Sequence, residues 1–396
     1  MTNDELEYKQ SIASELNVNA DQIDLFWKGR VGLYALLKSF GISASDEVII
    51  PAFTCVVVPN AVIYLGAKPV YVDVSTNSLN TTFEQVAAKV TEHTKCIVIQ
   101  NTFGLSSEVE SIVNYAKEKG ILTIEDCTHG FGGTYNGRKN GTYCDAAFYS
   151  TQWNKPFSTG IGGFSLLNNL DYKSKLDNVC QVLKIPGAKE RNMLAVLIRV
   201  KKYLLNDFTY WSALKIYRKL SKSGAVVGSS QDIEISTTDQ PEDYFLKSTK
   251  VQNKVGLKEL KRINVVLKLR KQNGIALNKF FKENGLWHYQ ERDIHNHSFL
   301  KYPIFVKDKN QFQLKAEKAK IKLGDWFLSP IHPVTENLED WGLKTNEYPI
   351  AQSLSGAILN LTTEDKDINK VLRFIEKNKK DFMAQKDVGN LPPHMK

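Results

Sequence analysis

The sequence predicts an α/β fold: a mostly parallel sheet flanked by helices, followed by a smaller C-terminal α+β unit. Apolar, β-branched runs alternate with helix-periodic stretches through the first half of the chain, and that alternation builds βα units with parallel strands. After about residue 250 the pattern changes to amphipathic helices and a short strand. The size agrees, since 396 residues with 42% hydrophobic and 24% charged side chains can form roughly two domains around substantial cores.

The first helical stretch is FWKGRVGLYALLKSFGI (26–42), where Val31, Leu33, Leu36, Leu37 and Phe40 keep a helical period after Gly29. The expected strands are EVIIP, PVYVDV, CIVIQN, ILTIED, AAFYS and FSLLNN, separated by segments such as NAVIYLG and SSEVESIVNYAKEKG. One long helix is expected from about Lys250 to Asn284, then the strand YPIFV (302–306) and the helix KNQFQLKAEKAKIKLG (309–324). The expected division is a large domain over 1–249, a small domain over 250–385 and a disordered tail, KDVGNLPPHMK, over 386–396.

The residues that carry chemistry centre on Lys155. Ser150 precedes it by five positions and Asp126 by 29, while Gly160, Gly162 and Gly163 follow. ILTI (121–124) is a buried-strand pattern that runs directly into Glu125-Asp126 and the turn-rich THGFGG, as a parallel strand does at a ligand crevice. A carboxylate there suits a protonated ring nitrogen, a lone lysine after AAFYS suits an aldehyde, and a glycine opening a helix suits a phosphate. These are the three needs of pyridoxal 5'-phosphate.

Order and spacing resemble the DegT/DnrJ/EryC1/StrS family of sugar aminotransferases, fold type I of the PLP-dependent transferases. The resemblance runs from about residue 20 to about 375, and rests mainly on DEVIIPAFTCVVVPNAVIYLGAKPVYVDV (46–74) and TIEDCTHGFGGTYNGRKNGTYCDAAFYS (123–150). It implies that Lys155 bonds the cofactor and shuttles a proton, and that Asp126 pairs with the pyridine nitrogen. It implies too that His129 lies near the ring hydroxyl and that Ser150, with the backbone N–H groups of Arg30 and Val31, holds the phosphate beside Gly29. The Arg30 side chain would add charge there, and Thr54 would wall the site. Departures from the family pattern are Cys55 where an aromatic residue commonly stacks on the ring, with Phe53 as a substitute, and Phe245 and Lys247 where an asparagine and an arginine are usual. Thr362 stands where proline is usual.

The implied activity is transfer of an amino group from glutamate or glutamine to a keto-sugar, most naturally a nucleotide-activated keto-deoxysugar, in surface polysaccharide or amino-sugar biosynthesis. The alternatives are a pyridoxamine-type sugar dehydratase, against which Lys155 argues because those proteins carry histidine there, and a non-catalytic regulatory homologue. A homodimer is implied by the same resemblance.

The net charge of +9 is concentrated. Ten basic residues between Lys184 and Lys222 (Lys184, Lys189, Arg191, Arg199, Lys201, Lys202, Lys215, Arg218, Lys219, Lys222) face only Glu190 and Asp207. Helices with a solvated basic face explain this best; peripheral contact with an anionic membrane or binding of a nucleotide's phosphates are the other readings. Nucleic acid is not expected, since no recognition motif accompanies the charge. Cys55, Cys96, Cys127, Cys144 and Cys180 make no CxxC or Cys/His cluster, so neither disulfide nor metal is expected. MTNDELEYKQ lacks the features of a signal peptide, and the expected location is cytoplasmic.

Overall fold

A computed structural model of the chain describes residues 2–204, 209–211, 213 and 232–388. The strands among them are β1 Ile23–Phe26, β2 Glu47–Pro51, β3 Thr54–Cys55, β4 Lys68–Val72, β5 Thr94–Gln100, β6 Leu122–Asp126, β7 Thr134–Tyr135, β8 Arg138–Lys139, β9 Ala146–Ser150, β10 Gly163–Leu167, β11 Lys301–Phe305, β12 Leu323–Gly324, β13 Ile331–His332 and β14 Ile358–Thr362.

Seven of them form one sheet in the order β1-β10-β9-β6-β5-β2-β4. From β9 to β4 every pairing is parallel, and only β10 is reversed. β2 and β10 are buried at every residue, which is why their sequences, EVIIP and GFSLL, are mainly apolar and show no inside–outside alternation. Helices Gly29–Ser39 and Val109–Glu118 bury Val31, Leu33, Leu36 and Leu37, and Val109, Ile112 and Ala116, in the large-sheet core. β5, β6 and β9 end at Gln100, Asp126 and Ser150, so these polar residues reach the carboxyl edge of the sheet together.

A second, antiparallel sheet has the order β11-β14-β12, with helices Ile263–Glu283, Lys309–Lys318 and Ile368–Lys377 beside it in sequence. The two parts share one apolar core, in which Phe53, Phe103, Phe281, Phe327 and Trp341 all take part. β13 pairs with β3, placing Ile331 opposite Thr54 and His332 opposite Cys55. A late segment thus forms part of the wall at the large sheet's carboxyl edge.

Asn60 adds a polar tie. Its Oδ1 accepts from Trp341 Nε1 at 2.6 Å and its Nδ2 donates to the Glu234 carbonyl at 2.9 Å, with the side chain fully buried. Replacing it with alanine would strand a buried donor and a buried acceptor. Asn60→Ala is expected to lower unfolding stability by about 2–4 kcal/mol, read from denaturant titration; an unchanged midpoint would contradict the tie.

Several elements differ from expectation. The helix expected over 250–284 is two helices, Lys250–Leu260 and Ile263–Glu283, because they dock on different partners. The first lies on the N-terminal helix Asn3–Leu16, so closely at Gly256 that a Cβ there would fall 2.3 Å from the Tyr8 ring. The helix expected over 309–324 stops at Lys318, since Lys320 adopts φ 57° and turns the chain into β12. β11 begins at Lys301 rather than 302. Gln385–Val388 is helical, so the tail read as disordered from 386 begins inside a helix; residues 389–396 lie outside the described residues. The basic segment is described as the helix Ala188–Leu204, with Leu194 packed against Trp27 and Leu246. Lys215, Arg218, Lys219, Lys222 and Asp207 lie outside the described residues.

Candidate active site

A pocket at the carboxyl edge of the large sheet is lined by Lys155, Asp126, Ser150, Gly29 and Arg30, together with Lys28, Cys55, Thr128, Gln152 and Gly162. Each arrives on a different element: Asp126 at the end of β6, Ser150 at the end of β9, Gly29 and Arg30 at the start of a helix, and Lys155 on the loop between β9 and β10. That loop is fixed by Thr151 Oγ1 against Thr159 Oγ1 at 2.7 Å and by backbone bonds from Thr151 N to Gly162 O and from Trp153 N to Gly160 O.

Glycine is required where helix and sheet meet. A Cβ on Gly29 would lie 2.6 Å from the Tyr149 carbonyl oxygen, and one on Gly163 would lie 2.2 Å from Gly29 Cα. Gly163→Ala must therefore push the Gly29 turn out of place. We expect a loss of about 1–3 kcal/mol in stability, and weaker retention of any phosphate at this turn, measured by thermal unfolding and ligand titration. Native values for both would contradict the close approach.

Burial controls the titration of the central groups. Desolvation pulls the Lys155 amine down to about 8, against the opposing pull of Cys55 and Asp126. The Asp126 carboxyl is buried and raised by desolvation, although Thr128 N–H donates to its Oδ1 at 3.0 Å and Lys155 acts to lower it. The Lys155 ammonium also lies 4.5 Å from the Trp326 ring centroid.

Of the other expected residues, Arg30 and Cys55 line the pocket, while His129, Thr54, Val31 and Phe53 sit around it. His129 stacks on Trp326 at 4.7 Å and accepts the Phe103 N–H on Nδ1 at 3.2 Å, which leaves the proton of a neutral ring on Nε2. Burial drives its pKa well below the ordinary histidine value. Thr54 is buried and donates to Gln100 Oε1 at 2.6 Å. Val31 is fully buried, and its N–H donates to the Lys28 carbonyl at 3.2 Å. Arg30 is turned to Glu234, Nη1 to Oε2 2.5 Å, so its charge is already paired at the pocket. Cys55 lines the pocket, while Phe53 packs edge-on against Phe327 at 4.7 Å. Phe245 packs on Tyr34, and Lys247 pairs through its backbone with Lys184.

Sequence reasoning did not find Lys28, Glu234, Gln100, Trp326 or His332 in this neighbourhood. Gln100 ends a recognised strand and its polarity after CIVI was a usable signal. Trp326 and Glu234 come from distant stretches with no local pattern. Among the described residues no group of His, Cys, Asp and Glu is arranged to hold a metal ion, and the five cysteines are free. No helix among them is long and apolar enough to cross a membrane.

The donor set fits pyridoxal phosphate on the geometry alone: an amine, a buried carboxylate, and a glycine-opened helix start beside a serine line one pocket. Comparison with known proteins points the same way. The model of the DegT/DnrJ/EryC1/StrS aminotransferase family matches residues 27–209 and 213–375. A GDP-perosamine synthase of Escherichia coli O157:H7 is 36% identical over 141 residues, covering 36% of this chain and 39% of that protein. A pleiotropic regulatory protein of Geobacillus stearothermophilus is 34% identical over 164 residues, covering 41% and 43%. The chain thus spans about two fifths of the length of these curated relatives. The X-ray structure of an aminotransferase from Psychrobacter cryohalolentis superposes with a TM-score of 0.73 at 19% identity, covering 96% of this chain and 92% of that one, a likeness of fold.

Proposed function

The chain belongs to the DegT/DnrJ/EryC1/StrS aminotransferase family, and from that premise we propose that it is a PLP-dependent aminotransferase acting on a keto-sugar, with glutamate or glutamine as donor. The observation that carries the reading is the convergence of Lys155, Asp126, Ser150 and Gly29 on one pocket from separate elements. A nucleotide-activated keto-deoxysugar is the substrate class we favour, in line with the names of relatives such as GDP-perosamine synthase. When bound, the cofactor supplies an electron sink for an amine-bearing carbon.

The chain's own residues do the rest. Lys155, deprotonated more easily than an exposed lysine, would hold the cofactor through its amine and would then be the group that holds and returns a proton. Asp126 would keep the ring nitrogen protonated, while Ser150 and the backbone at Gly29 and Arg30 would hold the phosphate. His129, neutral and protonated on Nε2, would be a hydrogen-bond donor near the ring hydroxyl. Thr54, held by Gln100, keeps β3 and therefore Cys55 in the wall. We also propose a homodimer, and a cytoplasmic location.

Borohydride reduction of protein mixed with pyridoxal phosphate, followed by peptide mass analysis, tests the assignment: the adduct belongs on Lys155. Labelling elsewhere alone would sink it. The Lys155 amine offers a second check by competitive acetylation of cofactor-free protein. Its reactivity is expected to rise with pH and level off above about 8, because the amine is protonated below that value and free above it. A rise continuing past 10 would mean the burial effect is absent. The name of the Geobacillus relative keeps a regulatory homologue as a second reading. Turnover with glutamate and a panel of nucleotide-linked keto-sugars separates the two, because a regulatory protein would give none.

A further inference from the structure

The phosphate end of the pocket carries a charge arrangement that the roles above leave unused. Lys28 and Arg30 stand on either side of Gly29 and both line the pocket. They share one carboxylate, Glu234, which is almost completely buried. The sharing is unequal. Glu234 Oε2 lies 2.5 Å from Arg30 Nη1 and 3.7 Å from Lys28 Nζ, the second distance being too long for a hydrogen bond. Asp243 also acts on Lys28, but only at electrostatic range.

Glu234 is itself fixed. Its backbone carbonyl accepts from Asn60, and Asn60 is fixed in turn by Trp341. On the other side of Arg30, the Tyr244 hydroxyl donates to the Arg30 carbonyl at 3.1 Å. The guanidinium is thereby committed to the carboxylate, and reaching an anion at the Gly29 turn would break a buried ion pair, a costly change. The Lys28 side chain is mostly buried and flexible, and it meets the same carboxylate at the longer distance of 3.7 Å, a looser hold than that on Arg30. Lys28 and Arg30 thus bring two buried cations to the Gly29 turn, in a pocket that also contains Lys155 and Asp126. A doubly charged phosphate monoester at that turn would complement them.

We propose that the Lys28 ammonium is the charged side-chain ligand of the cofactor's phosphate, and that Glu234 acts as a positioning residue that withholds Arg30 from that contact. This rests on the reading of the pocket as a pyridoxal phosphate site, and it reverses the expectation that Arg30 supplies the charge.

The test compares equilibrium affinities of the intact protein for pyridoxal phosphate and for pyridoxal, which lacks the phosphate. Lys28→Met is expected to weaken pyridoxal phosphate by roughly 10- to 100-fold while leaving pyridoxal within about twofold. Lys28→Arg is expected to restore most of the loss. Glu234→Gln removes the carboxylate that faces the guanidinium and is expected to hold pyridoxal phosphate as tightly as the native protein or more so. Far-UV circular dichroism and thermal unfolding of each variant establish that it is folded. Equal loss for both aldehydes, or for neither, in Lys28→Met would overturn the proposal while leaving the cofactor reading intact. A native protein that binds neither aldehyde would overturn both. A Lys28→Met enzyme whose cofactor affinity is native but whose KM for a nucleotide sugar rises tenfold would assign Lys28 to the substrate's phosphates and overturn the proposal as stated.

Discussion

Lys155→Ala is expected to abolish both the visible absorbance gained with pyridoxal phosphate and amino-group transfer. Two contributions are lost together. The amine that would hold the cofactor disappears, and so does the group that would carry the proton; the second alone contributes about 10²–10⁴ in rate. The substitution should leave the fold intact, because Lys155 sits on a loop whose shape is set by Thr151, Thr159 and the Gly160–Gly162 backbone rather than by its own side chain. Steady-state transamination together with the absorbance spectrum is the measurement. Turnover within tenfold of native would remove Lys155 from the mechanism.

Asp126→Asn is the second large effect, and its signature differs. The amide keeps the size of the carboxylate, and its oxygen can still accept the Thr128 N–H now made to Oδ1 at 3.0 Å. Binding of the cofactor should therefore persist, held by Lys155 and the phosphate end. What disappears is the negative charge that keeps a ring nitrogen protonated. We expect kcat to fall about 10²–10³-fold with little change in cofactor affinity, in keeping with removal of one preorganised electrostatic contact. A normal rate in a variant that binds the cofactor would mean Asp126 faces something other than the ring nitrogen.

Much of this was legible in the chain itself, for a physical reason. Parallel strands buried on both faces must be apolar throughout, so EVIIP, ILTIED and AAFYS announce themselves, and the polar residues that end them, Asp126 and Ser150, mark the sheet's carboxyl edge. The glycine opening the helix at 29 was equally visible. The break at Lys261–Arg262 was not, because the helical period continues across it and only docking on separate partners divides it. Nor was the end at Lys318, where a lysine takes the left-handed conformation more often given to glycine.

The site's outer parts were illegible for a related reason. Trp326 and Glu234 reach the neighbourhood of the pocket through tertiary packing, the first on a loop leading into β13 and the second on the short helix Asp232–Ser236. Phe53 was a reasonable substitute for a stacking aromatic, but its ring is taken up by Phe327 in the shared core, while Cys55 lines the pocket. Arg30 illustrates the same limit: its position beside Gly29 could be read, whereas its pairing with Glu234 could not.

The most direct test of the central claim is an absorbance titration of the purified protein with pyridoxal phosphate, followed by addition of glutamate. The account predicts a visible band that saturates with one cofactor per chain, is absent in Lys155→Ala, and gives way to absorbance at shorter wavelength when glutamate is added. Failure of the native protein to develop any band would contradict the account, and so would a band that Lys155→Ala retains.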